Sequence, residues 1–372
     1  MRTAVVSVTS DLVTDRRVDN TCKELVACGF DVLLAGRRKT DSLSLQPRIY
    51  KTDRLRLIFE KGFLFYAEFN LRLFFYLLFK KTDLLYANDL DTLLPNYLVS
   101  VIRRKPLMYD SHEYFTGVPE LEGRPFVRKT WKTIEKFIFP KLKEIITVND
   151  SIAALYKQEY GKDLIVVRNM PAYRELVITK TKEELGLPTD KKIVLLQGAG
   201  INVHRGSEEA VEAIKFVENA VLVIMGSGDV IDILKKRAAE PDLEGKVIFI
   251  PKQPIDRLFE YTVHADIGLT LDKDTNINYR YSLPNKVFDY IQAGVPVLAS
   301  PLVEIKKIID KYQTGCTIDN HEPQHIAQKI TYMLSDPERI AEWKKNLKIA
   351  SQELCLEHEI ENLRELLLRH AK

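Results

Sequence analysis

Along the chain, short runs of β-branched and aliphatic residues alternate with stretches whose apolar positions recur every three or four residues. Buried parallel strands read as continuous apolar runs and their crossover helices as amphipathic ones, so the alternation predicts an α/β chain with doubly wound parallel sheets. Six runs fall in the first half: TAVVSV, DVLLAG, DLLYAND, PLMYDSH, EIITVN and LIVVRN. Six fall in the second: KIVLLQG, AVLVIMGSG, KVIFIP, ADIGLTL, VPVLAS and GCTI. Six and six predict two Rossmann-like domains. The pattern lapses over MPAYRELVITKTKEELGLPTDKK, where Pro171 and Pro188 bracket a short helical piece, which places the linker at about residues 171–191. We therefore expect an N-terminal domain over 1–175 and a C-terminal domain over 186–350. The periodic tail over 351–372 reads as a helix that packs back on the N-terminal domain.

The most hydrophobic stretch is LRLIFEKGFLFYAEFNLRLFFYLLFKK. Glu60, Lys61, Glu68 and Arg72 interrupt it too often for a membrane-spanning helix, which needs about 20 mostly apolar residues. It reads as a buried helix preceding DLLYAND, and an outer face resting on lipid stays open.

Length agrees with two domains, because 372 residues exceed what one hydrophobic core usually supports. With 45% hydrophobic and 29% charged residues, no low-complexity tract and no short-period repeat, the composition disfavours a disordered chain or a solenoid. The four cysteines are scattered, with no CxxC pair and no zinc-like histidine spacing, so they are expected to be reduced and the protein cytoplasmic. The apolar run at the N-terminus is too short for a secretory signal and reads as a first buried strand. Net charge is +3, but residues 1–180 carry 30 Lys and Arg against 22 Asp and Glu, whereas residues 181–372 carry 25 against 30. Such asymmetry suggests that the first half faces something anionic, a membrane surface or a phosphorylated acceptor. Each basic cluster alone (GRRK, FKK, VIRRK) also reads as a solvated loop end, and no nucleic-acid partner is expected.

Ligands of open parallel sheets bind beyond the carboxyl ends of strands, which directs attention to the turns there. After ADIGLTL comes a polar loop, DKDTNINYRYSLPN, and then a helix, KVFDYIQA, stopped by Gly294 and Pro296. Ser282, Asn285 and Lys286 sit at or near the helix start, where free N–H groups, the helix dipole and a full positive charge suit a phosphate. Asp289 lies one turn deeper on the same face and can accept two hydrogen bonds from a ribose diol. A surface pair between Lys286 and Asp289 explains the same spacing. After KIVLLQG, the loop QGAGINVHRGSEEAVEAI carries Gly198, Gly200 and Gly206. Val203 breaks the GxGxxG pattern, which disfavours a nicotinamide dinucleotide. Arg205 in this loop is a candidate donor to a leaving diphosphate, and Gly226 and Gly228 of IMGSGD form a second tight wall. In the first half, Asp110, His112 and Glu113 gather in LMYDSHEYF at a strand end. Asn88 with Asp89 and Asn149 with Asp150 sit at equivalent strand ends, where they bind hydroxyls or cap the next helix, and capping is the simpler expectation.

Taken together, PNKVFDYIQAGVPVLAS, SDLVTDRRVDNTCKELVACGFDVLLA, LLYANDLDTLLP, YDSHEYF, EIITVNDSIAALYKQEYG with VVRNMP, and RGSEEAVEAI with LVIMGSGD resemble glycosyltransferase family 4, the group 1 retaining glycosyltransferases. The resemblance spans nearly the whole chain. It implies a GT-B fold, two Rossmann-like domains facing each other across a cleft, with no required metal or cofactor. It also implies a UDP- or GDP-sugar donor held mainly by the C-terminal domain and a glycan or lipid-linked oligosaccharide acceptor in cell-surface polysaccharide synthesis. By position, Arg205 matches the family's basic residue before glycine, and Ser282 to Lys286 match its phosphate site. Asp289 matches the second glutamate of its paired-glutamate motif, and His112 matches a histidine near the reacting centre. Two positions depart from the pattern. Tyr281 stands where the first glutamate is expected, which alters sugar recognition or shifts it to the loop 272–280, and Gly200 stands where an arginine is expected. A UDP-sugar 2-epimerase of the same fold, with Asp110 and Glu113 as acid and base, and a catalytically silent nucleotide-sugar-binding subunit are the alternatives.

Overall fold

The computed structural model describes residues 1–13, 15–40 and 42–371. The chain forms two compact units, residues 1–169 together with 359–372, and residues 170–358.

The first unit is built on a seven-stranded sheet: β1 (Arg2–Ser7), β2 (Phe30–Arg38), β3 (Lys51–Arg56), β4 (Leu84–Asn88), β5 (Leu107–Ser111), β6 (Glu144–Thr147) and β7 (Ile165–Val166). All neighbours are parallel, in the order β3-β2-β1-β4-β5-β6-β7. The second unit holds six parallel strands: β8 (Lys192–Gly198), β9 (Ala220–Gly226), β10 (Val247–Pro251), β11 (Ile267–Thr270), β12 (Val297–Ala299) and β13 (Gly315–Thr317). Their order is β10-β9-β8-β11-β12-β13. Both sheets therefore reverse direction of winding once, between β1 and β4 and between β8 and β11, and such a reversal opens a crevice at the strands' carboxyl ends.

Strand alternation explains the layering of the second unit. Val194, Leu196, Leu222 and Ile224 feed one apolar cluster. Their chain neighbours Ile193, Leu195, Val221 and Val223 feed another on the opposite face.

Three expectations need correction. A strand was missed: β3, KTDRLR, lacks an apolar run because it sits at the sheet edge, half-exposed. The piece between Pro171 and Pro188 forms no helix, only turns over residues 182–186. The hydrophobic stretch does form a helix, Gly62–Phe79, but it is buried on one stripe only, where Phe65, Phe69, Leu73 and Leu77 pack against Val5, Ala35 and Leu85.

Candidate active site

In the second unit the reversal point is wedged open by one side chain. Tyr290, on the helix Asn285–Gln292, places its buried hydroxyl 3.1 Å from Leu195 O and 3.2 Å from Leu269 O, and accepts from Gln197 N at 3.2 Å. The β8–β11 ladder pairs only Ile267 with Val194 and Gly268 with Leu195, and the phenol serves backbone groups at its last pair and just past it. Gly268 is required, because a Cβ there would lie 2.5 Å from the Tyr290 ring. This anchor fixes the N-terminal turn of the helix at the crevice.

Two loops are laced together above it. Lys273 N donates to His204 O at 2.9 Å, and the Lys273 ammonium pairs with Glu209. Gly206, at φ +73°, lets the first loop pass so close to the second that a Cβ would meet Leu271 O at 2.3 Å. Asp272, fully buried, lies at the centre: Arg205 Nη1 is 3.0 Å from one carboxylate oxygen, and Thr270 Oγ1 is 3.2 Å and Lys286 Nζ 3.8 Å from the other. The Arg205 guanidinium also stacks 4.4 Å from the Tyr279 ring centroid. Burial lowers the affinity of Arg205 for its proton, but Asp272 and Tyr279 outweigh it and the net shift is upward. For Lys286 burial wins over Asp272, and Arg205 adds to it, so its pKa falls. Two buried groups here, Arg205 Nε and Ser282 Oγ, have no hydrogen-bond partner in the protein. Two converging cations, a helix N-terminus and donors without partners can hold a phosphate or diphosphate.

Of the residues expected from sequence, Arg205 and Lys286 are thus brought together on Asp272, and Lys286 turns inward to it. Pro284 is the N-cap, Asn285 is exposed at the first helical position and Asp289 is half-buried one turn on. Tyr281 is half-buried and closes the short helix Ile277–Arg280. Gly226 and Gly228 act through close backbone approach, since a Cβ would stand 1.8 Å from Gly198 O and 2.0 Å from Ile201 O respectively. Asp272, Tyr279 and Tyr290 were not singled out. The available signal for Asp272 was its place directly after the switch strand.

In the first unit, His112 is held on every side. Its backbone N donates to Asp89 Oδ1 at 2.8 Å, its Nδ1 lies 3.3 Å from Asp89 Oδ2, and its Nε2 lies 3.2 Å from Asn88 Oδ1 and 3.7 Å from Asp110 Oδ2. Burial lowers the His112 pKa, but Asp89 and Asp110 outweigh it and carry it to about 9. Such an imidazolium is a hydrogen-bond donor and a charge, not a general base. Asp89 stands at the N-cap of the helix Leu90–Arg103, but its side chain bonds no N–H of that helix and its φ is +59°, an uncommon conformation for a non-glycine residue, which corrects its expected capping role. Asn149 does cap, accepting from Ile152 N at 2.9 Å.

Asp110 is also not free to meet a sugar. It is 1% exposed, gripped by Arg17 at 3.1 and 2.6 Å, and accepts from Tyr86 at 3.0 Å. Burial raises its pKa, yet Arg17 and His112 prevail and hold it well below the usual carboxylate range. Glu113 shifts the other way, pushed to about 8 by burial and then by Asp89 and Glu120. Asp91, unremarked in the sequence, accepts from Thr9 Oγ1 at 2.7 Å, and burial with Asp89 nearby takes it to about 7. Its other oxygen has no hydrogen-bond partner in the protein.

Comparison with known proteins adds an independent line. Residues 177–349 match the model of glycosyl transferases group 1, and residues 14–170 that of glycosyltransferase family 4. A curated relative, D-inositol 3-phosphate glycosyltransferase of Xylanimonas cellulosilytica, is 22% identical over 239 residues, 56% of this chain and 54% of its own, so the chain spans about half of that relative's length. Among solved structures, sucrose-phosphate synthase from Thermosynechococcus elongatus superposes with a TM-score of 0.76 at 17% identity, covering 99% of both chains. Anabaena HepE in complex with UDP and glucose gives 0.73 at 15%, again covering 99% of both. At these identities the structures speak for the GT-B fold.

Proposed function

The chain belongs to the glycosyltransferases of group 1 and family 4, and from that premise we propose that it is a retaining enzyme that moves a sugar from a UDP- or GDP-sugar to a glycan or lipid-linked oligosaccharide. The observation that carries the donor class is the convergence of Arg205, Lys286 and a helix N-terminus around buried Asp272 at the winding reversal of the second unit. The diphosphate rests there, and Asp289, one helical turn on, takes the ribose diol. That Anabaena HepE is described with UDP and glucose favours UDP over GDP. We assign the reaction to the cytoplasm, which suits four free cysteines.

In the proposed reaction the bond between the sugar's anomeric carbon and the diphosphate oxygen breaks while the acceptor oxygen bonds to the same face of that carbon. The acceptor proton passes to the departing diphosphate oxygen. The chain's contribution is electrostatic: Arg205 and Lys286 bear the growing diphosphate charge. No metal is needed in this scheme. The 2-epimerase reading loses one of its two carboxyls, because Asp110 is occupied by Arg17.

A thermal-shift panel of UDP-, GDP-, ADP- and TDP-sugars, followed by product analysis with and without acceptors, tests the proposal. Arg205→Ala and Asp289→Ala are expected to cut turnover at least tenfold, and a chelator to leave it unchanged. Conversion of the donor sugar without acceptor makes the protein an epimerase, nucleotide binding without any turnover makes it a silent subunit, and absence of nucleotide binding ends the proposal.

A further inference from the structure

The helix Gly62–Phe79 has two apolar stripes, and the protein uses only one. Phe65, Phe69, Leu73 and Leu77 are 0–4% exposed and lie in the core of the first unit. The other stripe runs Leu64, Ala67, Leu71, Phe75, Phe79 at spacings of three and four, and its large members stand exposed: Leu64 52%, Leu71 60%, Phe75 49% and Phe79 81%. Glu68 lies on the same arc, but its carboxylate folds back onto Ile58 N and Phe59 N and pairs with Arg72. Soluble surface helices place polar residues along such an arc, so four large apolar side chains standing exposed on it mark a surface that something covers. By length and composition this helix could cross a membrane. Its buried stripe rules that out, since leaving the sheet would strip the apolar core around Val5, Ala35 and Leu85.

The neighbouring charges select the occupant. Arg103 Nη1 donates to Leu77 O at 2.9 Å, which ties the end of the helix Leu90–Arg103 to the end of the first helix. At this junction Val101 and Ile102 are exposed beside a basic group of Lys80, Lys81, Arg103 and Arg104. Lys61 flanks the other end of the stripe; at the junction Lys80 lies 4.0 Å from Asp53, and Asp83, which also feels Lys81, is paired with Lys105 at 3.1 Å. The acidic groups nearby are engaged elsewhere: Glu68 accepts from Ile58 N and Phe59 N and pairs with Arg72, and Glu60 accepts from Thr40 N. A second copy of the chain would bring the same cations face to face. An anionic lipid surface complements both the aromatic stripe and its basic ends.

We propose that the outer stripe of Gly62–Phe79, with the basic junction at Lys80–Lys81 and Arg103–Arg104, docks the protein in the plane of an anionic membrane. Phe75 and Phe79 enter the interface between headgroups and acyl chains, while the lysines and arginines contact phosphates. The inference is independent of the nucleotide chemistry, so the two can fail separately.

Flotation of the full chain with vesicles of phosphatidylcholine alone, or with 30% phosphatidylglycerol as the probe, at low and high salt, is the test, in which roughly 30% approximates an anionic leaflet. Binding is expected with the anionic vesicles only, falling at high salt, and at least tenfold weaker for Lys81→Glu/Arg104→Glu and for Leu71→Ser/Phe75→Ser/Phe79→Ser. Both variants are expected to keep the wild-type nucleotide thermal shift, which verifies their fold. No binding of the wild type at low salt, or equal binding by both variants, overturns the proposal. So does a concentration-dependent dimer, seen by analytical ultracentrifugation, that the same substitutions abolish.

Discussion

The residue that organises the donor-side crevice is an acid, although the group it is proposed to receive is an anion. Buried Asp272 lets Arg205 and Lys286 approach one another, which two cations would otherwise resist in a partly desolvated site. It is a positioning residue, and its removal has a signature beyond weaker binding. Lys286 is already pulled toward its neutral form by burial and by Arg205, with Asp272 opposing. Asp272→Asn removes the opposition, so the loss of nucleoside diphosphate affinity at alkaline pH moves to lower pH. Titration calorimetry with UDP or GDP across pH 6–10, a range of roughly the width such shifts need, reads it. A uniform weakening at every pH contradicts the role. His112 gives a second pH-dependent case. Its folded pKa, about 9, exceeds the unfolded value, so its pairing stabilises fully below the unfolded pKa and is lost as pH rises through about 9. Asp89→Asn removes one of its two carboxylate partners and should cost about 1–2 kcal/mol near pH 6, with the gap to wild type closing above the folded pKa. Denaturant unfolding at several pH values checks the sign. Replacing Arg17 acts differently, since buried Asp110 loses its bidentate partner and keeps only the Tyr86 hydroxyl and the more distant His112. Arg17→Ala is expected to cost about 3–5 kcal/mol around neutrality.

At the scale of elements, all twelve strands with an apolar run were legible: the interior ones because burial on both faces leaves little choice of residue type, and the edge strands β7, β10 and β13 because they keep an apolar run although only partly buried. The edge strand β3 was hidden because an edge may be polar, and the turns of residues 182–186 were mistaken for helix because local periodicity does not require a partner surface. For the candidate site, the helix start and the arginine loop were visible as local chemistry. Asp272, Tyr279 and Arg17 were not, because their meaning lies in partners 67, 74 or 93 positions away along the chain (roughly, long-range contacts that no local pattern encodes). Tyr290 is the sharpest instance. Within YIQA it reads as one more core aromatic, whereas its hydroxyl serves three backbone groups at the strand split. Tyr290→Phe keeps the volume and removes those bonds, at an expected cost of about 1–3 kcal/mol. Nucleotide affinity should fall with it, because the same helix carries Lys286 and Asp289. Hydrogen exchange localised to residues 285–292 distinguishes a loosened helix from a global effect, and unchanged protection there would refute the anchoring role.

For the whole molecule, the two sheets share one winding order, yet the chain does not divide once. It leaves the first unit at Asn169 and returns to it at Glu359. The helix Leu356–Ala371 belongs there through the apolar stripe Ile360, Leu363, Leu366 and Leu367, all 7% exposed or less. Its polar partners are first-unit residues: Glu359 accepts from Arg168, Arg364 pairs with Glu24 and His370 with Glu144. None of this was fixed by periodicity alone, since an apolar stripe fits any apolar surface and these charge partners lie far away in sequence. The assignment predicts where damage appears. Leu367→Ala should cost about 2–5 kcal/mol, confined to the first unit if the two units unfold separately. The chain carries two tryptophans, Trp131 in the first unit and Trp343 in the second, both largely buried, so each unit has its own fluorophore. In a Trp343→Phe background the remaining signal comes from Trp131, and its unfolding midpoint should fall when Leu367→Ala is added. In a Trp131→Phe background the Trp343 transition should move less. A transition that shifts only at Trp343 would place the terminal helix with the second unit and overturn the assignment.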